Sequence, residues 1–367
     1  MIINSTSAHQ DMTLFWSGNY TTVLDTQDPS HSLQTYAERV VVAAFILLIA
    51  ISNIVGNSLV ILAVVFSKKL RTSTNAFVVS LSAADLLAGL AVSMTVVALL
   101  NPGESWPSVL CSMAGVVLYV NSTASLFNLA SIALNRLILI KRPTLYRSLY
   151  TRLTIAVNIA VVWIAAIAVM VVPPLLGIGG FGYDEQHHAC SDLDTHPKAK
   201  IFEKIQTVLS FPIPFIIIVS SYIMIYMHVR RHFQAQRVLR GISDEAPTTS
   251  SGNFIFVVSD NATALRTSHQ DRINRQQVEI TKNLFIAFCA FFFCVAPYSI
   301  ALFLPNNDRY LLFLAAVFFC NSCVNPFIYG AKHPQFKKVM RCMLRCQYSQ
   351  IEEPSDTLKA LMNCCRE

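Results

Sequence analysis

Residues 75–100 read NAFVVSLSAADLLAGLAVSMTVVALL, an apolar run that carries one charge, Asp85. A helix rises 1.5 Å per residue, so this run is longer than the ~30 Å of hydrocarbon in a bilayer. Six further runs of about 20 residues or more follow the same pattern, at 39–66, 108–135, 153–176, 204–228, 281–304 and 310–330. The composition agrees. Of 367 residues 54% are hydrophobic and 13% charged, against ~25% charged in a soluble domain, and mean hydropathy is +0.49. The expected fold is an all-α membrane protein, a bundle of seven transmembrane helices.

Charge orients the bundle. If residues 67–74, 136–152, 228–282 and 330–367 share one side, that side holds 23 of the 28 Lys and Arg. Lys and Arg gather on the cytoplasmic face, so the N-terminus is expected outside and the C-terminus inside, as in a multi-pass protein of the plasma membrane. The net charge of +7 then reflects topology and the anionic inner leaflet. The basic residues are spread over four loops without interleaved aromatics, so no nucleic-acid partner is expected. The opening MIINSTSAHQ has neither a basic start nor an apolar run. The first span is therefore expected to direct insertion. Asn4 and Asn19 head N-x-S/T sequences on the outer tail and are expected to be glycosylated.

Four parts follow along the chain: a disordered outer tail, 1–38; the seven-span domain, 39–331, with a flexible third cytoplasmic loop at about 232–275; an amphipathic helix, 332–346; and a cytoplasmic tail, 347–367. Proline stands in spans five (Pro212, Pro214), six (Pro297) and seven (Pro326). Each frees a carbonyl and makes a kink, which in a bundle that changes shape is a hinge. Of the ten cysteines, Cys111 and Cys190 alone lie on the outer, oxidising side and are expected to pair. Cys342 and Cys346 follow a basic amphipathic segment and are candidates for palmitoylation.

Twenty of the 21 acids fall in loops, tails or helix ends; Asp85 alone lies deep in a span. A carboxylate there costs at least ~2.5 kcal/mol, which marks it as functional. Its available partners are Asn57 in span one, Asn121, Ser125 and Asn128 on one face of span three, and Asn321, Ser322 and Asn325 in span seven. One carboxylate among neutral oxygen donors suits a sodium ion or a water network. The alternative is polar glue between helices, worth ~0.6 kcal/mol per contact.

In chain order stand GNSLV (Asn57), LSAADLL (Asp85), Cys111, NRLILIKRP (Arg136), Trp163, Pro214 followed by Tyr222, Pro297, and NPFIYG (Asn325, Pro326, Tyr329). With these motifs, residues 40–346 resemble the rhodopsin-like (class A) G-protein-coupled receptors. The stretch NSCVNPFIYG is similar to that of melatonin receptors and related invertebrate orphan receptors, and HPQFKKVM to opsin tails. The resemblance implies a receptor and no enzyme. It implies a heterotrimeric G protein, arrestin and a receptor kinase as partners, beside membrane lipids and an extracellular ligand. It implies sodium held at Asp85 with Asn121, Ser125, Asn321 and Asn325, favouring the resting state. Arg136 would face the G protein in the active state, near Tyr222 and Tyr329. HPQFKKVMRCMLRC would be a short eighth helix, with Phe336 buried and Lys337, Lys338 and Arg341 at the headgroups.

This chain departs from the family at two switches and at two ligand anchors. The family's acid–arginine–tyrosine is here Asn135-Arg136-Leu137, so no ion pair with a neighbouring acid restrains the arginine. The tryptophan two residues before the span-six proline is Val295. The aspartate of amine receptors is Leu118, and the retinal lysine of opsins is Phe319. By position the pocket would hold Leu118, Tyr119, Ser122, Thr123, Gln206, Thr207, Ser210, Tyr298, Ser299, Ala315 and Phe319. That lining has hydroxyls, one amide and no charge, which suits a neutral, partly apolar small molecule. The span-five histidine of melatonin receptors is absent; Ser210 lies about there. The acids of the second outer loop, among them Asp184 and Asp192, leave a peptide ligand as the alternative. A channel or transporter would call for repeats or a charged path, and neither is present.

Overall fold

The computed structural model describes residues 36–101, 108–184, 188–193, 195–244, 254–301 and 308–364. Asn4 and Asn19 lie outside them. Tyr36–Glu367 forms one compact unit. Its helices are α1 (Tyr36–Phe66), α2 (Ser73–Leu100), α3 (Ser108–Lys141), a short α4 (Pro143–Leu149) and α5 (Arg152–Leu175). A hairpin follows, β1 (Phe181–Asp184) and β2 (Ala189–Asp192). Then come α6 (Ala199–Ser210), α7 (Pro212–Asp244), α8 (Phe254–Ala301), α9 (Asp308–Lys332), α10 (Pro334–Leu344) and α11 (Asp356–Cys364). Among the described residues seven spans are long and apolar enough to cross a membrane: α1, α2, α3, α5, the α6–α7 pair, α8 and α9. The ends of the bundle are named outer and inner by the charge count.

Local chemistry sets the ends of these helices. The Thr72 side chain accepts from the Asn75 N–H at the start of α2, and Thr151 does the same for Thr154 at α5. Pro212 and Pro214 lack N–H donors, and the fifth span is broken at Phe211 between α6 and α7. The flanks of the expected third inner loop are helical, α7 reaching Asp244 and α8 starting at Phe254. Their glutamines, arginines and alanines are good helix formers.

Outward faces are apolar, with Leu48, Leu153, Ile164, Ile216 and Phe293 each more than half exposed. In water such a surface is untenable; against lipid it is the expected one. The inner half packs Val60, Phe77, Leu81, Leu129, Ile218, Phe288 and Tyr329 into one cluster. Gly56 lets α9 come close to α1: a Cβ there would stand 2.8 Å from the Pro326 ring. At the outer end the hairpin pairs Tyr183 with Cys190, and Cys190 is bonded to Cys111 on α3, Cα to Cα 5.0 Å.

The inner end carries more structure than the sequence led us to expect. On α10, Phe336 is 1% exposed, while Lys337, Lys338 and Arg341 face outward. The chain beyond turns back as a strap. The Ser355 N–H donates to Phe66 O at 2.8 Å, and Lys68 N–H to Glu353 O at 2.9 Å. Ile351 and Leu358 plug into the inner cluster at 3% and 0% exposure, each worth ~1.5–3 kcal/mol. Lys68 pairs with Asp356 at 2.8 Å, and Glu352 bridges Lys69 and Lys338. Those two ammonium groups hold the Glu352 carboxyl down at about 2.

Candidate functional site

Two buried polar centres lie along the bundle. The first surrounds Asp85, which is 0% exposed. Its Oδ1 accepts from Ser125 Oγ on α3 and its Oδ2 from Asn325 Nδ2 on α9, both at 2.9 Å. Asn57 donates to Ser322 O on α9 at 3.0 Å, and Ser322 Oγ to Asn321 Oδ1 at 2.8 Å. Asn121 and Asn128 spend their Nδ2 groups on their own helix, donating to Val117 O and Ala124 O. The predicted set is thus brought together, but in layers: Ser125 and Asn325 touch the carboxylate, and no direct bond from Asn57, Asn121 or Asn321 is seen. One member was missed. Asn53, on α1 and 3% exposed, donates to the Asp85 main-chain O at 2.8 Å. Its signal was in the sequence, an asparagine one turn before Asn57.

Sodium passes a test of fit here. Asn57 Oδ1, Asn121 Oδ1 and Asn128 Oδ1 are buried with no protein partner. All three are acceptors, and a buried acceptor without a donor is costly. They stand on α1 and α3, the helices that bond Asp85 through Asn53 and Ser125, and oxygen lone pairs are what a hard monovalent cation takes.

The second centre is Arg136, at the inner end of α3 and 4% exposed. Its Nη1 donates to Gln277 Oε1 on α8 at 2.8 Å, and its Nε is buried without a partner. No carboxylate pairs with it among the described residues. Asn135, fully buried, accepts from Thr74 Oγ1 at 2.6 Å and donates to Tyr146 Oη at 3.4 Å. Leu137 is buried beside it. Tyr222 packs on Phe285 with ring centres 5.0 Å apart, and Tyr329 stacks on Phe336 at 5.6 Å. Neither ring is bonded to Arg136. Val295, in the tryptophan's position, belongs to the inner core. Pro297 and Pro326 lie inside unbroken α8 and α9. Sequence reasoning missed Gln277, since a glutamine in a polar inner stretch carries no signal until α8 sets it across from Arg136.

The predicted pocket residues divide. Leu118, Ser122 and Phe319 line a small cavity together with Asn53, Gly89, Asn321 and Ser322. Tyr119 donates to Asp192 of the hairpin and packs on Phe181, centres 5.3 Å apart, which brings a loop acid to a wall that the helices leave uncharged. Gln206 is 7% exposed with its Nε2 unpartnered, and Ser210 Oγ donates to Gln206 O. Thr123 is buried, Tyr298 packs on Phe318, and Thr207, Ser299 and Ala315 are half-buried; none of these lines that cavity. Of the acylation candidates, Cys342 is buried in the inner core and Cys346 exposed.

A family profile described as 7 transmembrane receptor (rhodopsin family) matches residues 56–329. The G-protein coupled receptor moody of Drosophila melanogaster is 28% identical over 374 residues, covering 89% of this chain. The chain spans 53% of that receptor's length. Melatonin receptor type 1A of Mus musculus is 28% identical over 309 residues, 80% of this chain and 78% of that one. In fold, squid rhodopsin aligns with a TM-score of 0.70 at 18% identity, over 89% of this chain and 91% of that one. The motifs of spans one to seven, the helices that hold them and the profile match agree: the chain belongs to the rhodopsin family of seven-transmembrane receptors.

Proposed function

We propose that this chain is a G-protein-coupled receptor of the plasma membrane, with its N-terminus outside, that binds a neutral small molecule and activates heterotrimeric G proteins. The observation that carries the reading is Arg136, a buried cation that the bundle closes off with one bond from α3 to α8, 2.8 Å long. Opening that bond at the inner end of α8 would present the arginine to a partner. Pro297, in the outer part of the same helix, is where α8 can bend.

The switch has two states. Agonist held by α3, α6 and α9 favours the open one, and the G protein, which binds only that state, raises agonist affinity in return. Bound sodium would supply a positive charge beside the resting carboxylate. Asp85, Ser125 and Asn325 would hold it, with the free amide oxygens as further ligands. The uncharged helical walls at Leu118, Ser122 and Phe319 support a neutral ligand. Arrestin and a receptor kinase follow as further partners, and exposed Cys346 as the acylated thiol. Guanine-nucleotide exchange in membranes expressing the protein, screened against a ligand library, tests the reading. Solute flux without exchange would refute it.

A further inference from the structure

Asn53 is the polar residue at this site that neither family motif nor pocket position singles out. Both ends of its amide are committed. Nδ2 donates to the main-chain O of Asp85, and Oδ1 accepts from Asn57 Nδ2. Asn57 Nδ2 also reaches the Asn53 main-chain O at 3.1 Å and Ser322 O at 3.0 Å. The result is that Asn57 keeps its Oδ1 free, buried and without a protein partner. An amide can offer a donor or an acceptor at either end, and its neighbours decide which. Here the Asn53 side chain joins two main-chain oxygens in taking the donor, so the oxygen is left over.

The slot for Asn53 is built by Gly89, one turn beyond Asp85 on α2. A Cβ at 89 would stand 2.8 Å from Asn53 Nδ2. Aliphatic packing alone does not call for an asparagine against a glycine in the core of a bundle, where an amide is costly unless fully paired. Beside the pair lies the cavity lined by Asn53, Gly89, Asn321 and Ser322, with room for about one water.

We propose, on the sodium reading of this site, that Asn53 is a positioning residue for the ion. It ties α1 to the Asp85 peptide and turns the Asn57 amide so that oxygen faces the cation.

The test is thermal unfolding of the purified receptor in sodium chloride against choline chloride, which needs neither ligand nor G protein. Wild type is expected to gain stability with sodium and not with choline. Asn53→Ala raises the sodium midpoint about fivefold, the value of one hydrogen bond. Gly89→Ala, which keeps the amide but crowds it, moves the midpoint the same way. In the double variant the new methyl occupies space the amide left. Its stability in choline recovers towards wild type, while its sodium midpoint stays high. Recovery of both quantities would make Asn53 a packing residue and overturn the proposal. An unshifted midpoint in Gly89→Ala would do so as well, and decides the matter if Asn53→Ala does not fold. A wild type that ignores sodium would instead remove the sodium reading itself, and the proposal with it.

Discussion

Replacing Gln277 by glutamate should quiet the receptor. Arg136 is held across the inner end of the bundle by a guanidinium donating to a neutral amide oxygen at 2.8 Å. A carboxylate there makes the bond charge-assisted on both sides, roughly doubling it. Desolvating the new charge takes part of that back. The net gain is ~1–1.5 kcal/mol, which lowers the ratio of open to closed bundles about five- to tenfold. Ligand-free guanine-nucleotide exchange, normalised to surface expression, should fall by that factor. Gln277→Ala removes the bond and leaves a second guanidinium nitrogen unpaired beside Nε, so exchange should rise about fivefold. Asn135→Asp supplies an acid beside the arginine from its own helix and should also lower exchange. Basal exchange unchanged or raised in Gln277→Glu would refute the view that this contact restrains the resting state. Equal signalling in wild type and Asn135→Asp would show that the missing acid is not what sets basal activity.

Asp85→Asn can still bond both helices, its Oδ1 accepting from Asn325 Nδ2 and its Nδ2 donating to Ser125 Oγ, but removes the charge, so ligand-free exchange should lose its dependence on sodium; a dependence that survives counts against the ion site. Burial, with help from the charge on Arg136, pushes His333 down to about 4 from an ordinary 6.5. Its ring accepts from the Phe336 N–H at the start of α10, which requires the neutral form. The neutral form is therefore the folded one. Stability is full above 6.5, falls as pH drops from 6.5 to 4, and loses up to ~3 kcal/mol. His333→Asn keeps a capping acceptor and does not titrate, so its acid-side melting curve should be flatter; an identical curve sinks the assignment. Leu358→Asp puts a charge into a fully buried site, at a cost of ~3 kcal/mol or more. Hydrogen exchange at the Lys68 and Ser355 amides should then speed up together, whereas raising salt alone should do little, since the ion pairs of the strap are exposed. Protected amides in the variant would mean that Leu358 does not hold the strap.

How far these features could be read from sequence depends on the range of the physics behind them. Burial in lipid is a property of twenty consecutive residues, so the spans stood out from composition alone. Asp85 stood out for the same reason, as the single acid in the wrong solvent. Ser125 was readable because a helix repeats, setting it on one face with Asn121 and Asn128. Gln277 was not, because its meaning is a distance of 2.8 Å to a residue 141 positions away. The strap failed for a related reason. Its apolar anchors, Ile351 and Leu358, are two residues in a polar stretch, too few to form a periodic pattern. They matter because α1, α10 and the Lys68–Leu70 turn leave a place for them.

The same contrast bears on how the receptor rests. Asn135 and Gln277 are both neutral, and the bond seen on Arg136, to Gln277, is a hydrogen bond where an ion pair could stand. At the Asp85 end the carboxylate has both its oxygens bonded, to α3 and to α9, and its peptide is tied to α1. A bundle whose inner latch is about half as strong as a charged one must draw more of its resting bias from the middle. Because the two centres restrain the same opening, weakening Arg136–Gln277 costs less while Asp85 is satisfied than after it is neutralised. Sodium should therefore govern basal activity most steeply in the variants whose inner latch has been cut.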